Sequence, residues 1–115
     1  MGAGEGGDAA AFWLVMKLQF TFKPAAKAEF FEAIAWYENE APGLGTEFAQ
    51  EVFQAMDRAA SAPERFRVVR GRARKIRLKR FKAYSIYFAV KDEACSVMSV
   101  FHSARKPAEL RRRLD

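Results

Sequence analysis

Apolar and polar residues alternate in short stretches, interrupted by one long region in which apolar residues recur at helical spacing. The stretch Lys17–Phe22 places Leu18, Phe20 and Phe22 on one side, which predicts a half-buried strand. Pro24 can occupy the first turn of a helix, where its missing N–H is not needed. An apolar stripe then predicts a helix that continues to near Glu40, with Phe30, Ile34 and Tyr37 on its buried face.

A second helix is expected after the turn-forming run Ala41–Gly45. It should span about Thr46–Ala60, with Thr46 as its N-cap. One of its faces is apolar along its whole length, through Phe48, Val52, Ala55, Met56 and Ala59. Two helices joined by so short a turn form an antiparallel hairpin.

Beyond Pro63 the pattern changes from helical to strand-like. Strands are predicted at Arg67–Arg70, Ala73–Phe81, Tyr84–Val90 and Ser96–His102, and Pro107 opens a short helix over Ala108–Leu114. The sequence therefore predicts an α+β fold. An N-terminal strand and an antiparallel two-helix hairpin precede a mainly antiparallel twisted sheet and a short C-terminal helix.

The length of 115 residues fits one domain, which we place at residues 16–115. Residues 1–15 are rich in Gly and Ala and are expected to be a disordered extension, and Met16 is an alternative start of translation. The single cysteine and the single histidine argue against a disulfide and against a metal site, and no cofactor is expected. No apolar run reaches the roughly 20 residues that cross a bilayer, so we expect a soluble, cytoplasmic protein without a membrane partner.

Charge is distributed very unevenly along the chain. Residues 26–64 contain eight acidic and two basic residues, whereas residues 65–115 contain sixteen basic and four acidic ones. Nine of the sixteen residues from Arg65 to Arg80 are Lys or Arg, and none is acidic. A basic block of this density indicates a nucleic acid or an acidic protein as the partner.

Several short sequence motifs of the chain resemble those of the RelE/ParE family of bacterial type II toxin–antitoxin toxins, which includes plasmid stabilisation proteins. A Trp-Tyr-Glu run (residues 36–38) precedes Pro42-Gly43-Leu44-Gly45 and Phe48. Ala62-Pro63 follows the second helix, and Arg80-Phe81 precedes a strand with Tyr84, Ile86 and Phe88. The last strand ends in His102-Ser103-Ala104-Arg105. The resemblance extends from Met16 to Leu114, and the motifs occur along the chain in the same order as in the family.

The first fifteen residues have no counterpart in the family, and two further departures from the family pattern lie near the ends of strands. The usual Phe-Pro-Tyr is replaced by Phe81-Lys82-Ala83-Tyr84, which is one residue longer and has no proline. Ser103 stands where a glycine is common after the histidine. Both departures affect the residues of the expected site more than they affect the fold.

The resemblance implies growth inhibition, and it implies one of two targets. RelE-like members are ribosome-dependent mRNA endoribonucleases, whereas ParE-like members poison DNA gyrase. In the nuclease branch, Arg105 would be the catalytic arginine, His102 the acid or base, and Arg80 a further cation for the phosphate. A structural role for His102, and a core position for Tyr84, Trp36 and Tyr37, are the competing interpretations.

The resemblance also implies a co-encoded antitoxin with an acidic C-terminal segment that folds as it binds. The antitoxin or the target would bind the basic surface. The residues predicted to make this contact are Arg74, Lys75, Arg77, Lys79, Arg111 and Arg112. The long hairpin and the lack of an acid–base pair favour the gyrase branch. A ribosome-dependent endoribonuclease and a non-toxic, degenerate interaction module are the alternatives.

Overall fold

The computed structural model describes residues 20–115, and all structural statements refer to that part of the chain. Its elements are β1 (Phe20–Phe22), α1 (Pro24–Glu40), α2 (Leu44–Ser61), a 3₁₀ turn (Pro63–Arg65), β2 (Val68–Arg70), β3 (Ala73–Arg77), β4 (Tyr84–Lys91), β5 (Ala94–His102) and α3 (Pro107–Leu114). The predicted α+β order is confirmed. The expected extension 1–15, the start of the domain and the first half of the strand Lys17–Phe22 lie outside the described residues.

The five strands form one sheet in the order β1-β5-β4-β3-β2. Three neighbouring pairs are antiparallel and only β1 runs parallel to β5. The turn between β4 and β5 is made by Asp92 and Glu93, which have φ angles of 52° and 64°. Two successive left-handed residues match the twist of a tight hairpin, which fixes the pairing of the two longest strands.

The turn between α1 and α2 depends on two glycines and one carboxylate. Gly43 has φ 87°, a conformation that other residues adopt only with strain. A Cβ on Gly45 would lie 2.6 Å from the carbonyl oxygen of Ile34, so the two helices approach too closely for any side chain there. The Glu38 carboxylate accepts hydrogen bonds from the N–H groups of Gly43 and Gly45, at 2.9 and 3.0 Å.

The main core lies between the helical hairpin and one face of the sheet. Aromatic rings form its centre, since Phe48 contacts Tyr37, Phe81 and Tyr84 edge-on or tilted, with centroids about 5 Å apart. The strand predicted over Tyr84–Val90 is confirmed as β4: its Ile86 and Phe88 are buried in this core, and Tyr84 and Val90 are half-buried against it. A smaller core on the opposite face is covered by α3 and contains Ala73, Tyr87, Phe101 and Leu114.

Three local expectations are corrected. Helix α2 begins at Leu44 with Gly43 as its N-cap, so Thr46 is not the cap. The Glu38 carboxylate satisfies the first N–H groups, so a hydroxyl cap is not needed. Trp36 is 60% exposed and is not in the core, because it lies about 100° around the helix from Tyr37, which is half-buried against the core.

The third correction concerns the strand predicted over Ala73–Phe81. β3 ends at Arg77, and the following residues leave the sheet. Leu78 and Phe81 both turn into the main core, where they are only 2% and 5% exposed. Burying these two side chains on the same side is incompatible with the alternation of a strand.

Candidate functional site

A buried carboxylate, Glu29 of α1, organises the edge of the sheet beside the His102–Arg105 turn. It is 6% exposed and accepts hydrogen bonds from the hydroxyl of Ser99 and the N–H of Val100, both at 2.9 Å. Arg105 donates to it at 2.7 Å, and Arg113 of α3 donates twice, at 2.6 and 3.0 Å. Two guanidinium groups and two neutral donors satisfy the carboxylate, as its burial requires.

This cluster also covers the main-chain groups at one edge of the sheet. The pairing of β1 with β5 stops at Val97, so no strand of residues 20–115 lies beside the rest of β5 on that side. The Val100 N–H donates to Glu29, and the Met98 carbonyl accepts from Arg113 at 3.2 Å. Side chains thereby occupy the positions that an added strand would use.

The two departures near the strand ends lie in direct contact. The segment Phe81–Tyr84 closes a turn in which the Tyr84 N–H donates to the Phe81 carbonyl at 3.0 Å. The Ser103 N–H then donates to the Ala83 carbonyl at 2.7 Å. The longer segment without proline is therefore bonded to the turn that contains Ser103.

His102 is half-buried at the end of β5. Its ring meets Tyr84 at right angles, with centroids 4.9 Å apart. Its Nδ1 accepts a hydrogen bond from the Ala104 N–H at 2.9 Å, so the neutral ring bears its proton on Nε2. The core position expected for Tyr84 holds in part, since this side chain is half-buried against the main core.

Arg105 lies three residues after His102, and its guanidinium group is bound by two carboxylates. Besides Glu29, the Glu109 carboxylate accepts from it at 2.9 Å, and its guanidinium lies 5.4 Å from the ring centroid of Phe101. A phosphate at Arg105 would therefore compete with two existing anionic partners.

Arg80, the third candidate for RNA cleavage, makes its contacts elsewhere. It pairs with Glu47 of α2 and lies over the ring of Phe81 at 5.1 Å. Its backbone N–H donates to Glu51 at 3.2 Å. The structure thus brings His102 and Arg105 together at one turn, whereas Arg80 is held by α2.

The candidate basic surface divides into side chains with different partners. Arg74 donates to the Phe66 carbonyl at 2.7 Å, and Lys75 lies 5.8 Å from the ring centroid of Tyr87. Burial, together with the nearby charges of Arg77 and Arg67, lowers the pKa of Lys75. Exposed side chains complete the set: Arg77, Lys79, Arg111 and Arg112.

Within residues 20–115, no group of three or more His, Cys, Asp or Glu side chains could hold a metal ion. No helix in that range is long and apolar enough to cross a membrane. Cys95 is buried, and its burial raises the pKa of the thiol to about 11, so it is unsuited to act as a nucleophile.

A comparison with protein-family models decides the family. Residues 20–107 match the ParE toxin of type II toxin–antitoxin systems, parDE. The chain belongs to this ParE toxin family. The match includes both helices of the hairpin and the five strands, and it confirms the RelE/ParE resemblance and the fold expected from it. No curated protein matches the chain.

Membership in the ParE toxin family implies a protein antitoxin as partner. The sequence interpretation missed two residues that the structure brings together, Glu29 and Arg113. The available signal was Glu29 itself, a charged residue within the buried stripe that contains Ala26, Phe30 and Ala33. Charged residues are almost never buried without partners, so its position indicated buried cations nearby.

Proposed function

We propose that this ParE-family chain inhibits bacterial growth by poisoning DNA gyrase and that a co-encoded antitoxin neutralises it. The observation that carries the choice of target is the engagement of Arg105 by Glu29 and Glu109. In RNA cleavage, such an arginine would need to stabilise a phosphate that is becoming more negative. Its two carboxylate partners instead give it a structural role.

The positions of the other candidates support the same choice. Arg80 is paired with Glu47, and His102 uses Nδ1 to accept the Ala104 N–H at 2.9 Å. An RNA-cleaving site needs a base, an acid and free cations around one phosphate. The three candidate residues do not offer that set in this arrangement.

A ribosome-dependent endoribonuclease is the second candidate. It is favoured by one observation, the contact of Tyr84 and His102 at 4.9 Å beside the turn that leads to Arg105. Two proton-carrying side chains and a cation would then share one site, provided that Glu29 and Glu109 released Arg105.

The two candidates are separated by assays with purified components. The chain is incubated with gyrase and supercoiled DNA, and separately with translating ribosomes. The gyrase proposal predicts that cleaved DNA accumulates only when gyrase is present and that the messenger stays intact. Cleavage of the messenger in the ribosome, with no effect on gyrase, would replace the proposal by the nuclease.

The basic residues selected from the sequence are assigned to the contacts with antitoxin or target. Arg74, Lys75, Arg77, Lys79, Arg111 and Arg112 supply positive charge that an acidic antitoxin segment would neutralise. Occupation of the same surface by the antitoxin explains how neutralisation prevents contact with the target.

A further inference from the structure

The face of the sheet opposite the helical hairpin is only partly covered. Helix α3 packs on the smaller core of that face, to which Ala73 and Leu114 belong. Beyond the end of α3 the same face opens into a hollow of about 850 Å³. Five of its lining residues have small side chains: Gly71, Ala73, Ala89, Ala94 and Ser96. The hollow therefore continues the smaller core, and no helix of residues 20–115 fills it.

The pairing of β4 with β5 explains why this part of the face is shallow. Ala89 lies opposite Ser96, and Lys91 lies opposite Ala94. Because side chains of a strand alternate between the two faces, the large Phe88 beside Ala89 enters the main core instead. A sheet face with such short side chains leaves room for another layer, and its apolar surface is stabilised when a layer packs on it.

The chain enters β1 at the border of the hollow. Phe20 is paired with Cys95, and the two residues on either side of Cys95, Ala94 and Ser96, line the hollow. β1 is the outermost strand on that side of the described sheet, next to β5. The residues that precede Phe20 therefore begin their course beside the hollow.

The segment Ala9–Met16, which precedes the described residues, has a suitable composition and length. Its eight residues are all apolar, and they include Phe12, Trp13 and Leu14. Eight extended residues span at most roughly 28 Å, whereas the three strand spacings from β1 to β3 amount to roughly 14 Å. The segment can therefore cross the whole hollow. It lies outside residues 20–107, which match the ParE toxin family, so that family does not account for it.

The charges around the hollow complement those at the start of the segment. Three cations that line the hollow form no ion pair within residues 20–115: Lys23, Arg72 and Lys91. A fourth cation, Arg70, is bound to Asp115, and Asp92 is the remaining carboxylate of the lining. Glu5 and Asp8 precede the apolar run, and no basic residue does. An acidic end on an apolar segment fits an apolar hollow with cations at its border.

We propose that Ala9–Met16 folds back over the open face of the sheet, fills this hollow and completes the smaller core. Phe12 and Trp13 pack on the short side chains of β4 and β5, while Glu5 and Asp8 approach the unpaired cations. The disorder expected for residues 1–15 is then limited to the glycine-rich start. The same segment of a second copy could supply the same side chains, and the test separates the two sources. The proposal does not depend on the target or on the antitoxin.

Trp13 is a direct probe of the proposed position. The chain has two tryptophans, and the other one, Trp36, is 60% exposed on α1. In the full-length Trp36→Phe chain, all tryptophan fluorescence therefore comes from Trp13. Its emission in the native protein should be blue-shifted from that in urea, and quenching by acrylamide should be several-fold weaker. Equal emission and equal quenching in the native and unfolded protein overturn the proposal.

Substitutions in the hollow show where Trp13 is buried. Ala89→Arg, made in the Trp36→Phe chain, places a long cation in the space that the proposal gives to Trp13. Trp13 emission should shift to the red and quenching should rise several-fold, while the circular dichroism spectrum is retained. Ala94→Arg, at an exposed position of the same hollow, should act alike and replaces Ala89→Arg if that variant does not fold. Ala35→Arg, on the exposed face of α1, is the control and should leave Trp13 buried.

Two results overturn the proposal even if Trp13 is buried. If Trp13 stays buried in both Ala89→Arg and Ala94→Arg, the segment binds another surface. If the blue shift is lost on dilution while light scattering shows a dimer dissociating, the segment fills the hollow of a second copy instead. The expected result is a blue shift that does not depend on concentration, that is lost in the hollow variants and that is retained in Ala35→Arg.

Discussion

Glu29 and Arg113 are joined by two hydrogen bonds, of 2.6 and 3.0 Å, that connect α1 to α3 across the edge of the sheet. The two helices lie on opposite faces of the sheet, and each covers its own core. The pair therefore holds together the two sides of the domain. Removing one member of a buried pair leaves the other charge uncompensated, which is more damaging than losing an exposed pair.

Glu29→Gln should lower the free energy of unfolding by about 3 kcal/mol, because the amide places a donor against two guanidinium groups. The measurement is urea denaturation followed by circular dichroism. Glu32→Gln, on the exposed face of the same helix, is the matched control and should change stability by less than about 0.5 kcal/mol. Equal effects of the two substitutions would show that the Glu29 cluster does not hold the fold.

Gly45→Ala should destabilise the helical hairpin. The new Cβ would lie 2.6 Å from the Ile34 carbonyl oxygen, so α1 and α2 must move apart. A loss of about 2 kcal/mol is expected from such overpacking. Thr46→Ala, one residue further along and exposed, is the control, and thermal unfolding of both variants gives the comparison. A Gly45→Ala chain as stable as Thr46→Ala would contradict the close approach of the helices.

Alkaline pH should destabilise the protein through its tyrosines. Burial raises the pKa of Tyr37, Tyr84 and Tyr87, the three tyrosines of the chain, above the usual value of 10.0. Above that pH the unfolded chain releases phenolic protons that the folded chain retains, so stability is lost as the pH rises. Absorbance titration should show phenolate forming at higher pH in the native protein than in urea, and coincident curves would contradict this.

Arg105→Gln separates a structural role from a catalytic one. The Arg105 side chain is 41% exposed, so its loss should destabilise the fold by about 1 kcal/mol. Arg113→Gln should destabilise it more, since Arg113 also donates to the Met98 carbonyl. If Arg105 is structural, toxicity in growing cells follows the amount of folded protein and Arg105→Gln stays toxic. A folded, non-toxic Arg105→Gln chain would support RNA cleavage.

Much of the fold could be predicted because the apolar pattern and the turn residues agree. Pro24 marks the start of α1, and the alternation from Tyr84 to Val90 marks β4 within one residue of its end. The errors lie where tertiary contacts override local pattern. Ile76 and Leu78 alternate with basic residues as a strand would, but the strand ends at Arg77, and Leu78 and Phe81 both pack into the same core.

The candidate site was less accessible to prediction, because it depends on contacts between distant residues. The hydrogen bonds of Glu29 to Ser99, Arg105 and Arg113 span 70, 76 and 84 residues along the chain. Nothing in the local sequence around Arg105 indicates that a carboxylate of α1 binds it.

The most direct test of the central claim is pulse labelling of DNA and protein synthesis in bacteria after induced expression of the chain. The gyrase account predicts that DNA synthesis stops first and that protein synthesis declines only later. An immediate stop in protein synthesis, with DNA synthesis continuing, would contradict it and support cleavage of messenger RNA. Normal growth with soluble, folded chain in the cells would contradict toxicity itself and support a non-toxic interaction module.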